Sequence, residues 1–231
     1  MDNEPIQKIK IPAEPTSITI DVSKTALIIV DMQNAFVRKG AYFDLSGYDI
    51  SRTERIIPTC QSVIQTAREK GITIIYLRMI RDRPSPGDPP EVSPSFQKSR
   101  IPALVKERPD MADKIFFECA WGSEIIEELM PHKTDIIIKK QKYDGFLETD
   151  LESRLKILGI QYLLFIGTAT NVCVESTLRH AFFLDYFCIL VSDAVSQMGP
   201  EIIQESTIMN VRTTFGWVTH SKDLLNSLQA Q

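Results

Sequence analysis

Three side chains stand where they could carry out nucleophilic chemistry: Cys173, Asp31 and Lys140. Cys173 lies in Gly167-Thr-Ala-Thr-Asn-Val-Cys173-Val-Glu-Ser-Thr-Leu-Arg179, after the apolar run Tyr162-Leu-Leu-Phe-Ile166 and before a helix-like run over residues 174–184. A strand that turns into a helix there puts the thiol near unpaired N–H groups and partial positive charge, both of which favour the thiolate. The thiolate is the nucleophile, and an ordinary thiol titrates near ~8.5. A free cysteine is more often simply a buried small hydrophobe, so position alone leaves both readings open. Asp31 follows the continuous apolar run Thr25-Ala-Leu-Ile-Ile-Val30, which reads as a strand buried on both faces. Open α/β sheets hold ligands beyond such strand ends, although an Asp in a turn is the plainer reading. Lys140 follows the strand-like stretch Asp135-Ile-Ile-Ile-Lys139, just before a turn with Gly145.

Together these three residue types define a chemical design without histidine. Lys140 would lower the thiol's pKa by charge proximity. Asp31 would take the thiol proton and later return it to a leaving nitrogen. Attack on an amide-type carbonyl makes an oxyanion that needs two donors, for which the N–H groups of Cys173 and Ala169 are candidates. Physical reasoning reaches nucleophilic acyl transfer and no further. The scheme requires no metal and no organic cofactor. His132, His180 and His220 are far apart in sequence, and Cys60, Cys119, Cys173 and Cys188 show no metal or disulfide spacing, which fits a reducing, cytoplasmic setting.

The elements that must position the three residues can be read from the hydrophobic pattern. Strands are expected over residues 25–30, 72–77, 135–139, 162–166, 187–192 and 217–219. Helices are expected up to Gly71, over 124–130 behind Ser123 as a cap, from Thr149 to about Gly159, over 174–184 and 200–211, and after Ser221. Pro58 should fall within about the first turn of its helix, because an interior proline loses a backbone bond. Strands alternating with helices predict an α/β fold, a three-layer α/β/α sandwich with a mostly parallel six-stranded sheet. Asp31, Lys140 and Cys173 would then share the carboxyl edge of that sheet. Residues 1–24 read as an extended arm, over the surface or against a partner subunit, and residues 25–231 as a single domain. Tyr42, Phe43 and Tyr48 suit a pocket wall. The proline-rich stretch 81–94 is long enough to suggest a functional loop, and Arg78, Arg81, Arg83, Lys98 and Arg100 around it are the best source of a carboxylate-binding group.

A hydrophobic share of 43% supports a sizeable core, and a net charge of −4 gives no reason to expect nucleic acid or an anionic membrane as a partner. No apolar run approaches the ~20 residues of a membrane span.

Val30-Asp31-Met-Gln-Asn34, Lys140 with Tyr143, Gly145 and Phe146, and Gly167-x-x-Thr170-Asn171-x-Cys173-Val174 together resemble the isochorismatase-like cysteine hydrolase family. The resemblance runs from about Thr25 to Trp217. It implies a Cys-Asp-Lys triad at Cys173, Asp31 and Lys140, and a cis peptide before Ala169 at the oxyanion hole. It also implies self-association, for which the arm and the proline-rich loop are the natural contact segments. Residues 77–82 contain no His, unlike the metal-binding nicotinamidases, and Cys173 sets the chain apart from isochorismatases that cleave a vinyl ether. The pattern is most similar to the ureidoacrylate amidohydrolase group, through residues 40–47, 93–99, 171–179 and 215–217, which implies hydrolysis of a small ureido, carbamoyl or amide substrate. Where that group reads substrate, this chain departs from it. An Asn and a Trp would be expected near 79 and 81, a Tyr at 36 and an Asn at 95, but Met79, Arg81, Phe36 and Ser95 stand there. With Tyr42 and Tyr143, these are the expected substrate-binding residues.

Overall fold

The computed structural model describes residues 7–82 and 93–230; most of the 81–94 stretch, including Arg83, lies outside the described residues. Within residues 1–24, expected as an extended arm, the described residues form a hairpin. Strands β1 (Lys8–Ile11) and β2 (Ile18–Asp21) pair antiparallel. Ile9, Ile11, Ile18 and Ile20 enter the protein's own core, so the apolar side of this segment is used internally. The signal was the alternation Ile9, Ile11 and Ile18, Ile20, with period two on either side of a proline-rich turn.

Next come β3 (Thr25–Val30), the short helices α1 (Asn34–Val37) and α2 (Tyr42–Leu45), and the long helix α3 (Ser51–Glu69). Pro58 sits inside α3 rather than in its first turn. The apolar stripe Ile56, Ile57, Cys60, Val63, Ile64 and Ala67 is buried, and burial of that face outweighs one missing backbone bond. Strand β4 (Thr73–Met79) is followed by α4 (Pro94–Lys98), α5 (Ile101–Glu107) and β5 (Ile136–Lys140). The helix expected over 124–130 is only two 3₁₀ turns, Trp121–Ser123 and Glu127–Leu129. Ser123 does not cap it; its carbonyl instead accepts from Gln33 and Arg78. The remainder alternates regularly: α6 (Leu151–Ile157), β6 (Tyr162–Thr168), α7 (Glu175–Phe183), β7 (Phe187–Ser196), α8 (Glu201–Asn210), β8 (Trp217–Thr219) and α9 (Ser221–Gln229).

Six parallel strands form one sheet in the order β5-β4-β3-β6-β7-β8. Alternate residues of β3 go to opposite layers: Ala26, Ile28 and Val30 join the core under α6 and α7, while Leu27 and Ile29 join the core under α3, α9 and the hairpin. The expected three-layer sandwich is therefore present. Successive strands progress in one direction from β3 to β5 and in the other from β6 to β8, so the order reverses between β3 and β6. A crevice opens beyond the carboxyl ends at such a reversal. Gly167 makes the approach possible there: its φ is +113°, and a Cβ would lie 2.2 Å from the Val30 carbonyl oxygen.

Candidate active site

Asp31 is the first residue beyond β3, and its φ of +50° turns the chain sharply out of the strand. Asp is one of the few non-glycine types that tolerate this region. Its N–H still donates to the Leu77 carbonyl at 3.0 Å, while its Oδ1 receives the Met79 N–H at 3.1 Å. Gln33 braces the same point. Its Oε1 accepts from the Met79 N–H at 2.7 Å, and its Nε2 donates to the carbonyls of Met79 and Ser123 at 2.8 and 2.9 Å.

Strand β5 lies at the sheet edge, and its alternation sorts two adjacent lysines. Lys139 points out to Glu118 at 2.7 Å. Lys140 points in, with its Nζ 2.7 Å from Asp31 Oδ2 and side-chain exposures of 0% and 2% for the pair. The same ammonium donates to the Lys142 carbonyl at 3.2 Å. Cys173 arrives from β6 through a wide helical turn, Thr170–Val174, that runs into α7. Asp31 and Lys140 are the charged groups that act on its thiol. The Thr168–Ala169 peptide is cis, as the resemblance implied.

Burial sets the electrostatics of the trio. It pushes the Cys173 thiol up; Lys140 pulls the other way, and the Asp31 carboxylate adds to the rise. This corrects the expectation of a depressed thiol: the helix start and Lys140 do not offset desolvation beside an anionic Asp31. Asp31 is also raised by burial, against the opposing pull of Lys140 and its hydrogen bonds. Lys140 is held above its ordinary value because the facing Asp31, and then Cys173, outweigh the desolvation. The 2.7 Å contact with the Lys140 ammonium favours the carboxylate form of Asp31 against that burial. Moving one proton from Cys173 to Asp31 creates the thiolate without changing the net charge buried, which avoids the large cost of an isolated charge.

Asp31 and Cys173 border a cavity of about 250 Å³ that is also lined by Ala169 and all six expected substrate-binding residues, Phe36, Tyr42, Met79, Arg81, Ser95 and Tyr143. Lys140 sits behind Asp31, away from the cavity surface. One wall is aromatic: Phe36 packs at 4.8 Å from Phe43 and 5.0 Å from Phe116, and Tyr42 lies 5.2 Å from Phe116. The Tyr42 hydroxyl is raised to about 12 by burial, and the residue lines the cavity. Arg81 donates to Ser95 Oγ at 2.9 Å and lies 5.4 Å from the Phe96 ring centroid. Phe116, Ile101 and Met198 also line the cavity and were missed in the sequence. They come from irregular or short segments with no periodic signal. Among the described residues, no trio of His, Cys, Asp or Glu is gathered in a way that could hold a metal ion, and no helix is long and apolar enough to cross a membrane.

Gln33 offers a first check on this geometry. Gln33→Glu places a second carboxylate against Asp31 and turns an acceptor toward the carbonyls of Met79 and Ser123. The acid limb of activity is expected to move to higher pH, since a like charge disfavours ionised Asp31. Stability is expected to fall by about 1–3 kcal/mol from the orphaned carbonyls, read by denaturant unfolding. An unchanged limb would remove Gln33 from the site.

A parallel α/β sheet carrying a cysteine, a carboxylate and an ammonium at its switch point defines a cysteine hydrolase type of site. Residues 25–223 match the Isochorismatase domain, and the chain belongs to that family. It is 40% identical over 222 residues, 96% of this chain and 90% of the relative, to ureidoacrylate amidohydrolase RutB of Serratia proteamaculans. It is also 40% identical to the protein of the same name from Acinetobacter baylyi, over 94% of this chain and 89% of that one. Among solved structures, a cysteine hydrolase from Pseudomonas syringae pv. phaseolicola shares 26% identity with a TM-score of 0.77, each chain being covered to 99%. An N-carbamoylsarcosine amidase from Thermoplasma acidophilum shares the fold, with a TM-score of 0.62 at 24% identity over 86% of this chain and 96% of that one.

Proposed function

We propose that this protein is a cytoplasmic, cysteine-dependent amidohydrolase that cleaves a C–N bond of a small ureido or carbamoyl acid of the ureidoacrylate type. One observation supports this above the others: the buried Lys140–Asp31 pair at 2.7 Å meets Cys173 on the wall of a cavity, in a chain 40% identical to ureidoacrylate amidohydrolases over nearly its whole length. In the proposed reaction, Asp31 accepts the thiol proton as Cys173 Sγ attacks the ureido carbonyl carbon. The N–H groups of Ala169 and Cys173 hold the oxyanion. Collapse breaks the C–N bond, and protonated Asp31 gives its proton to the departing nitrogen. Asp31 then takes a proton from water, which attacks the carbamoyl thioester. Sγ leaves with that proton, and carbamate is released. Turnover of ureidoacrylate, carbamoylated amino acids, biuret and a simple amide, with amine and ammonia both quantified, tests the reading. Hydrolysis confined to simple amides would replace it with another amidase of the family.

The departures at residues 36, 79, 81 and 95 bear on the substrate. Arg81, on the cavity wall beside Ser95, is proposed to hold the substrate carboxylate. Arg81→Ala is expected to raise KM for an anionic ureido acid by about 10- to 100-fold, the worth of one charge-assisted hydrogen bond. Its kcat, and turnover of an uncharged amide, should change little. An unchanged KM for the anion would place the carboxylate elsewhere. Self-association belongs to the same proposal, and light scattering on the purified protein checks it.

A further inference from the structure

The loop after β5 follows Lys140 and α7 follows Cys173, and one hydroxyl joins the two. Thr177, fully buried on α7, donates from Oγ1 to the Cys173 carbonyl at 2.7 Å. The same oxygen accepts the Gly145 N–H at 2.9 Å. The Gly145 carbonyl is held in turn by Thr149 Oγ1 at 2.6 Å. Three residues before Gly145, the Lys142 carbonyl receives Lys140 Nζ, which reaches on to Asp31. Tyr143, on the cavity wall, lies on the same loop. One turn further along α7, His180 Nδ1 meets Asp144 Oδ2 at 2.5 Å. The packing at Gly145 is close: a Cβ there would lie 2.5 Å from Leu77 Cδ1, the end of a flexible side chain, and 3.0 Å from Thr177 Cγ2.

We infer that Thr177 is a positioning residue that fixes the Cys173 backbone against the loop that carries Tyr143 and the Lys142 carbonyl, the acceptor of the Lys140 ammonium. The inference rests on the reading of Cys173 as nucleophile. Thr177 touches no reacting atom; it acts by setting where the thiol stands relative to its proton acceptor. Val fills the same space as Thr without the hydroxyl, and Ser keeps the hydroxyl without the methyl.

For Thr177→Val, kcat on the turned-over ureido acid is expected to fall about 10- to 100-fold with KM nearly constant, the scale expected when reacting groups shift by about 1 Å. Thr177→Ser should recover most of that loss. A readout without substrate is the pH dependence of Cys173 alkylation by iodoacetamide, measured by peptide mapping. Thr177→Val should displace that profile and Thr177→Ser should not, whereas a merely stabilising Thr177 would alter only the melting temperature. Undisturbed kcat in Thr177→Val, or equal losses in the Val and Ser variants, would overturn the inference. Cys173→Ala separates the two levels. Activity persisting in it would sink the nucleophile itself, whereas activity lost there but kept in Thr177→Val would sink only the role of Thr177.

Discussion

Replacing Cys173 by serine is expected to lower turnover of the ureido substrate by about 10⁴-fold or more, a loss on the scale seen when a catalytic nucleophile is removed. The substitution changes one atom in a side chain that is 7% exposed, so the fold and the Lys140–Asp31 pair should persist. The difference lies in the proton. A thiol raised by burial can still pass its proton to Asp31, because the exchange leaves the buried charge unchanged. A hydroxyl is a far weaker acid, and there is no histidine in the trio to take its proton. The variant should therefore bind substrate with near-normal affinity, measured by calorimetry, and not turn it over. Residual turnover above about 1% would mean that the chemistry does not pass through Sγ. The raised thiol has a further consequence. In the intact protein without substrate, alkylation of Cys173 should be slow at neutral pH and accelerate only in alkali.

The part of this site visible in the sequence is the part carried by strand ends. Asp31 could be located because the run over residues 25–30 marks a strand buried on both faces, and Lys140 because three isoleucines, residues 136–138, lead into it at the sheet edge; a residue at the end of a parallel strand reaches the carboxyl edge whatever the helices do. The two lysines show the limit of that reasoning. Lys139 and Lys140 are equivalent in composition, and the period-two alternation that sends one to Glu118 and the other to Asp31 depends on a register that the run alone does not fix.

Electrostatic state was less legible than position. Proximity to Lys140 suggested an acidic thiol, but desolvation depends on how many groups close over Cys173, and those come from remote segments. The cavity wall was partly visible, through Tyr42, Phe43 and Tyr48. Phe116 and Met198 were hidden because irregular backbone has no period to read. The hairpin was overlooked for the opposite reason. Its alternation is regular, but two four-residue strands among prolines look like an arm until there is a sheet layer for them to cover.

Lys140→Met tests the pairing itself, and its expected effect on stability is large. Removing one partner of a buried ion pair leaves the other charge uncompensated, at a cost of about 3–5 kcal/mol. Asp31 would retain the Met79 N–H and lose its cation, so burial would raise its carboxyl further than in the intact protein. A carboxyl whose folded-state pKa is raised above its ordinary 3.8 binds more protons folded than unfolded, so its burden on stability grows as pH rises through that window and fades below it. The melting-temperature gap between Lys140→Met and the intact protein should therefore narrow as the solution is acidified from neutral pH. Adding Asp31→Asn should recover much of the stability at neutral pH while leaving the protein inactive, since the buried charge is gone but so is the base. Such recovery would be a coupling energy between two residues that touch. A gap that stayed constant with pH, with no recovery in the double variant, would show that Asp31 does not carry the charge that Lys140 neutralises. The proton acceptor for Cys173 would then have to be sought elsewhere on the cavity wall.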